Sequence, residues 1–206
     1  MSPLAPAGCN HEGEVEYQRA FRAVKLANVR DVAVLLPKSY RTAAGKRYPV
    51  LYMHDGQNCF DPSTSFLGVD WQVDETVAAL NERGTLQETI VVAVSNTSGR
   101  MREYADTPAG HDYMDFLAHD LKPFIDGKYR TLTDRDNTAV MGSSMGGLIS
   151  FLCLIYHPEV FGKADCLSTT LSIGADLLFQ KAEALKPASA RARLYFDAGD
   201  ELKNER

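Results

Sequence analysis

Thr138-Ala139-Val140-Met141-Gly142-Ser143-Ser144-Met145-Gly146-Gly147-Leu148-Ile149 is the stretch of this 206-residue chain on which the reading of the fold turns. Thr138 to Met141 reads as a short strand that runs straight into a glycine-rich turn, and Leu148, Leu152 and Ile155 then mark one face of a helix that stops at Pro158. A serine hydroxyl is a weak nucleophile at neutral pH, so it has to be exposed, oriented and paired with a base. The Gly142-x-Ser144-x-Gly146 spacing answers the first two needs, because it lifts Ser144 onto a strained turn too tight for side chains at its flanks. An isolated match is equally well read as a chance glycine turn. The strand before, the helix after and the extra Gly147 select the nucleophile elbow, with Ser143 as a structural turn residue.

Outward from the elbow, short apolar runs alternate with amphipathic ones, the signature of an α/β protein. Val32 to Leu36, Val50 to Met53 and Thr89 to Val94 read as buried parallel strands, with an antiparallel strand earlier, between Gly13 and Lys25. Val73, Val77 and Leu80 repeat at helical spacing, as do Phe116, Leu117, Leu121, Phe124 and Ile125, so each helix falls between two strands. Arg193 to Phe196 reads as a last strand. No internal repeat interrupts the pattern, and the expectation is a single domain over residues 1–206.

The chemistry then needs an oxyanion hole, an acid and a base. The helix that begins at Met145 points free N–H groups toward a developing oxyanion. A second donor is expected after an earlier central strand, where His54-Asp55-Gly56-Gln57-Asn58 follows Met53; Gly56 would bring the backbone close to substrate and leave the N–H of Gln57 as donor. A plain polar turn is the competing reading of that segment. His54, at the strand end, reads as a structural, hydrogen-bonded histidine. The orienting acid should follow a strand downstream of the serine, which points to Asp200 or Glu201, between which spacing does not choose. None of the histidines (His11, His54, His111, His119, His157) lies beyond that acid, so the triad is incomplete in this chain, and His111 and His119 read as surface residues. Arg102 and Tyr104, in Arg102-Glu103-Tyr104 after a central strand, read either as substrate contacts or as part of a structural Arg-Glu loop pair. Trp71, the single tryptophan, reads either as a wall for an acyl or aromatic group or as an anchor for the following helix.

Taken together, these segments resemble the esterase family of α/β-hydrolases that includes enterochelin-esterase-like, feruloyl-esterase-like and S-formylglutathione-hydrolase-like enzymes. The carriers are His54-Asp55-Gly56-Gln57-Asn58 with Phe60-Asp61, Gly68-Val69-Asp70-Trp71, Arg102-Glu103-Tyr104, Leu121 to Asp126 with Tyr129-Arg130-Thr131, the elbow, and His157 to Gly162. The resemblance implies the α/β-hydrolase fold and a metal- and cofactor-independent serine esterase, with Ser144 as nucleophile and Gln57 and Met145 as oxyanion donors. In that family a strand, a helix and a histidine loop follow the acid, and the carboxylate falls a few residues past the glycine, where this chain has Leu202 and Lys203. The expectation is therefore a C-terminally truncated member, either a serine carboxylic ester hydrolase acting on a small or medium soluble ester or a catalytically silent binding module. Truncation would also leave Arg193 to Phe196 as an open sheet edge and favour a homo-oligomer.

Composition narrows the remaining possibilities. A net charge of -5 without any run of Lys or Arg leaves no electrostatic footprint for nucleic acid or an anionic membrane. The N-terminus lacks a charged and apolar leader pattern and no stretch is long enough to span a bilayer, so a soluble cytoplasmic protein is expected. Cys9, Cys59, Cys153 and Cys166 show neither paired metal-ligand spacing nor the density of a disulfide scaffold.

Overall fold

A computed structural model describes residues 13–170, 180, 183 and 192–197. Its centre is strand β4 (Ile90–Val94), in which every residue is fully buried. Each such aliphatic side chain contributes about 1.5–3 kcal/mol of transfer free energy, and a run without polar alternation has to lie inside a sheet covered on both faces. Beside it runs β3 (Val50–His54), and beyond that β5 (Thr138–Ser143), all three parallel, with Leu51 of β3 opposite Val91 on one side and Ala139 on the other. The seven strands lie in the order β1-β2-β4-β3-β5-β6-β7.

The first two strands, β1 (Glu14–Ala23) and β2 (Asn28–Leu36), form an antiparallel hairpin whose register shifts between Gln18 and Phe21. β2 also runs antiparallel to β4, which corrects the expectation of a parallel strand at Val32 to Leu36. Burial decides the apolarity of a run and not its direction. A short connection forces β1 and β2 into an antiparallel hairpin, because a parallel pairing needs a long crossover; the pairing of β2 with β4 is a separate, tertiary choice. Strand β6 (Lys163–Leu167) was not anticipated: Lys163-Ala164-Asp165-Cys166-Leu167 alternates polar and apolar residues over only five positions. The strand expected at Arg193 to Phe196 is present as β7 (Arg193–Phe196); it pairs parallel to β6 and is the last strand of the described sheet, with Leu194 and Tyr195 exposed.

Helices fill the crossovers. Helix α1 (Val73–Glu82) connects β3 to β4; a short helix α2 (Arg100–Glu103) follows β4; and α5 (Met145–Tyr156) joins β5 to β6. Between α2 and β5 lies one helical stretch: α3 (Pro108–Asp115), a π-helical turn (Phe116–Leu121) and α4 (Lys122–Lys128). Thr107 caps it by accepting from the Gly110 N–H, with Pro108 at the first position. His111 and His119 lie inside this stretch. Two apolar clusters seal the sheet faces, a large one under α3 to α5 and a smaller one around Met53, Cys59, Phe60 and Val73. Cys59, Cys153 and Cys166 are buried and free, and burial raises each thiol pKa. No helix among the described residues is long and apolar enough to cross a membrane.

Candidate active site

Ser144 stands at the carboxyl end of β5, between that strand and α5, with φ 59° and ψ -117°. A non-glycine residue in this region carries about 1–3 kcal/mol of strain, and it persists only where the surroundings enforce it. The enforcement is visible. The Ser144 N–H donates to the Leu167 carbonyl on β6 at 2.9 Å, and its own carbonyl accepts from Leu148 at 3.1 Å. A Cβ on Gly142 would come within 2.7 Å of the Gly146 backbone, so that position has to be glycine. At Gly147 a Cβ would meet Thr169 Oγ1 at 2.4 Å, whereas at Gly146 it would make only ordinary contacts at 3.5 Å. The tight flanks of the turn are therefore Gly142 and Gly147.

The turn leaves the Ser144 side chain exposed, hydrogen-bonded at 3.0 Å to the Thr170 hydroxyl that follows β6. Met145 is buried at the first position of α5, where the helix N-terminus faces the same side of the sheet. A cleft of about 710 Å³ opens over Ser144, lined by Gln57 and Asn58, by Asp55 and Arg100, and by the loop from Ser63 to Trp71. Phe66, Leu67 and Val69 are strongly exposed and Trp71 is 39% exposed, which makes one wall of this cleft apolar. A smaller depression of about 330 Å³ at Asp136, Gly162, Lys163 and Arg193 lies at the amino ends of β6 and β7, away from the serine.

The loop after β3 is the most constrained part of the site. Asp55 takes a left-handed conformation at φ 57°, and its buried carboxylate receives two 2.7 Å bonds from the Arg100 guanidinium and one at 2.6 Å from Asn96. Gln57 Oε1 accepts the Asn96 N–H at 3.1 Å, and the Gln57 carbonyl accepts from the Thr64 hydroxyl at 2.6 Å. Gly56 packs against β4, where a Cβ would lie 2.4 Å from the Ala93 carbonyl carbon. Its smallness serves that packing, not the approach to substrate expected from sequence.

Below this loop lie His54, Tyr104 and Tyr113, all fully buried. The Asp55 N–H donates to the Tyr104 hydroxyl at 3.2 Å, the two tyrosines share a hydrogen bond, and Tyr113 Oη meets His54 Nδ1 at 2.8 Å. Burial, aided by the Arg100 and Arg30 charges and opposed by Asp55, lowers the His54 pKa to about 3. His54 is thus a neutral, hydrogen-bonded residue of the interior. Tyr104 has no exposed surface and touches the underside of the loop, so the structure does not bring it to the lining of the cleft. Arg102 is exposed and does not line the cleft; Arg100, two residues earlier, does. Glu103 instead makes a buried pair with Arg30 at 3.1 Å.

Arg100, Asn96 and Thr170 are the site residues that sequence reasoning missed. Asp55 and Arg100 are 45 positions apart, and only the adjacency of β3 and β4 brings their loops together. Among the described histidines none reaches Ser144: His111 pairs with Asp106, while His119 and His157 cluster with Asp115. Asp200 and Glu201, and likewise Cys9 and His11, lie outside the described residues.

The sheet order, the crossovers and the serine turn together define an α/β-hydrolase fold. Residues 24–202 match the family described as "Putative esterase", and the chain belongs to that Esterase family. It is 24% identical over 193 residues to the Bacillus subtilis (strain 168) protein YbbA, which carries no described activity, spanning 87% of this chain and 72% of YbbA. Among solved structures, the IroE-like serine hydrolase of Shewanella oneidensis superposes with a TM-score of 0.69 at 22% identity, over 89% of this chain and 60% of that one. The enterobactin esterase FES of Shigella flexneri does so with a TM-score of 0.72 at 20% identity, over 94% of this chain and 48% of that one. The chain therefore spans about half to three fifths of the length of these two solved proteins.

Proposed function

We propose that the chain is a serine carboxylic ester hydrolase that works through an acyl-enzyme on Ser144. The observation that carries this reading is the strained, exposed Ser144 at the floor of a cleft that also holds Gln57 and the amino end of α5. Ser144 Oγ attacks the ester carbonyl carbon and its proton passes to a base; the carbonyl π bond opens to an oxyanion facing the N–H groups of Gln57 and Met145. Collapse expels the alcohol, which takes up a proton, and water then releases the acid. The apolar wall of Phe66, Leu67, Val69 and Trp71 favours an acyl or aryl group of small to medium size. Such a group is compatible with the aromatic esters that the names of related enzymes suggest.

Asp200 or Glu201 is the proposed acid. The base is the weak member of the set, since among the described residues the hydrogen-bond partner of Ser144 Oγ is the Thr170 hydroxyl. That observation favours a second reading, a binding module that retains the cleft without turnover. Hydrolysis of p-nitrophenyl acetate and labelling by a fluorophosphonate, each compared with Ser144→Ala, separate the two. Faster turnover and a label on Ser144 support the hydrolase, and equal rates with no label leave the binding module. Self-association through the exposed residues of β7 is proposed as well, and a strictly monomeric sedimentation profile at high concentration would contradict it.

A further inference from the structure

Helix α5 begins at the candidate nucleophile and ends 12 residues later, about 18 Å away at 1.5 Å per residue. At that far end His157 follows the last turn and packs beside the π-helical turn of the preceding helical stretch. His157 is almost buried and is flanked by carboxylates on both ring nitrogens, with Asp115 Oδ1 3.3 Å from Nε2 and Glu159 Oε1 3.4 Å from Nδ1. The Nε2 of His119, itself within the π-helical turn, lies 4.0 Å from the same Asp115 oxygen. Two imidazole nitrogens and one carboxylate oxygen thus converge within 4.8 Å of one another.

We propose that Asp115, His119 and His157 form a binding site for a divalent transition-metal cation, with zinc as the best fit. Tetrahedral zinc, with bonds of about 2.0–2.1 Å to nitrogen and oxygen, separates its ligand atoms by about 3.3–3.4 Å. The His157 to Asp115 distance already has this value, and the His119 side chain, 59% exposed, is free to swing the remaining distance. Imidazole ligands select a d-block cation over calcium or magnesium, which prefer all-oxygen shells.

The surroundings fit the same assignment. A neutral imidazole has one N–H, so His157 hydrogen-bonds to one of its two carboxylates and turns a lone pair toward the other. With the proton on Nδ1 facing Glu159, Nε2 presents its lone pair beside Asp115, an arrangement that a cation between them reconciles. Glu159 then holds the ligand ring by its second nitrogen, the usual outer partner of a metal-bound histidine. Lys25 donates to Asp115 Oδ2, which leaves Oδ1 for the metal. The π-helical turn is a further pointer, since such widened turns recur at functional sites. The exposed side of His119 leaves a fourth position for water. A bound cation would clip the end of α5 to the π-helical turn, stabilising the helix that carries Ser144 without entering the ester chemistry.

The test uses the full chain, stripped of metal by a chelator and titrated with cobalt(II) alone, followed by displacement with zinc(II). Visible d–d bands of tetrahedral intensity, saturating at a single equivalent, abolished by zinc and accompanied by a rise in Tm, are the expected result. His119→Ala, at an exposed position, should weaken binding by more than about tenfold and abolish the Tm rise. His111→Ala should leave both unchanged, and neither variant should alter fluorophosphonate labelling of Ser144. Absence of bands at millimolar cobalt, or binding that His119→Ala leaves unchanged, would overturn the site. Because labelling is read separately, failure here is distinguishable from failure of the hydrolase reading.

Discussion

On one side of Ser144, the loop after β3 is tied down by a buried carboxylate with three charge-assisted or amide bonds, by a tyrosine hydroxyl under its backbone and by close packing of Gly56 on β4. On the other side, the described contact of the serine side chain is one hydroxyl-to-hydroxyl bond, to Thr170. The difference teaches that, among the described residues, the two sides of the cleft are held with unequal strength. The loop proposed to form the oxyanion wall draws its order from β3, β4 and the loops between residues 55 and 104. Under the proposed reading, rigid donors aimed at a developing charge need no reorganisation during reaction, and this is the side with the denser network of described contacts.

That asymmetry is open to breakage. The largest effect is expected on acidification. His54 under the oxyanion wall has a folded pKa near 3, below its ordinary value of 6.5. The unfolded chain therefore binds the extra proton first, and stability falls as pH drops through 6.5 and goes on falling toward 3. The loss is up to about 1.4 kcal/mol per pH unit, several kcal/mol in total, and urea unfolding midpoints across that range should show it. His54→Gln should flatten the slope.

Arg100→Ala comes next, because it strands the buried Asp55 carboxylate. A loss of about 3 kcal/mol is expected, at the low end for a broken buried pair because the guanidinium is 27% exposed. Labelling of Ser144 should slow alongside, as the loop carrying Gln57 loosens. Gly56→Ala forces the same loop off β4 and should cost about 1–3 kcal/mol, read as a lowered thermal midpoint. Thr170→Val, on the opposite wall, should change stability by less than about 1 kcal/mol. A Thr170 effect as large as that of Arg100 would show that the two walls are not unequal after all.

The strand, turn and helix around Ser144 were legible because each leaves a local mark: an apolar run, flanking glycines and a face at helical spacing. The parallel strands β3, β4 and β5 were legible for the same reason. The direction of β2 was not, since an apolar run records burial and the pairing of β2 with β4 is a tertiary choice. Strand β6 left almost no mark, because at Lys163 to Leu167 partial exposure permits alternating polar residues. Arg102 and Tyr104 show the limit at the site itself: sequence placed the segment near the catalytic edge, but only helical geometry decides that Arg100 faces the cleft and Tyr104 the interior.

By itself the sequence determined the class of fold, the elbow and the serine, since the constraints there act over a few consecutive residues. Tertiary structure alone decided the pairing of Asp55 with Arg100 and the convergence of Asp115, His119 and His157 at the far end of α5. Asp55 and Arg100, and His157 and the Asp115–His119 pair, lie tens of positions apart along the chain, and only the packing of strands and helices on a common core sets the distances between them.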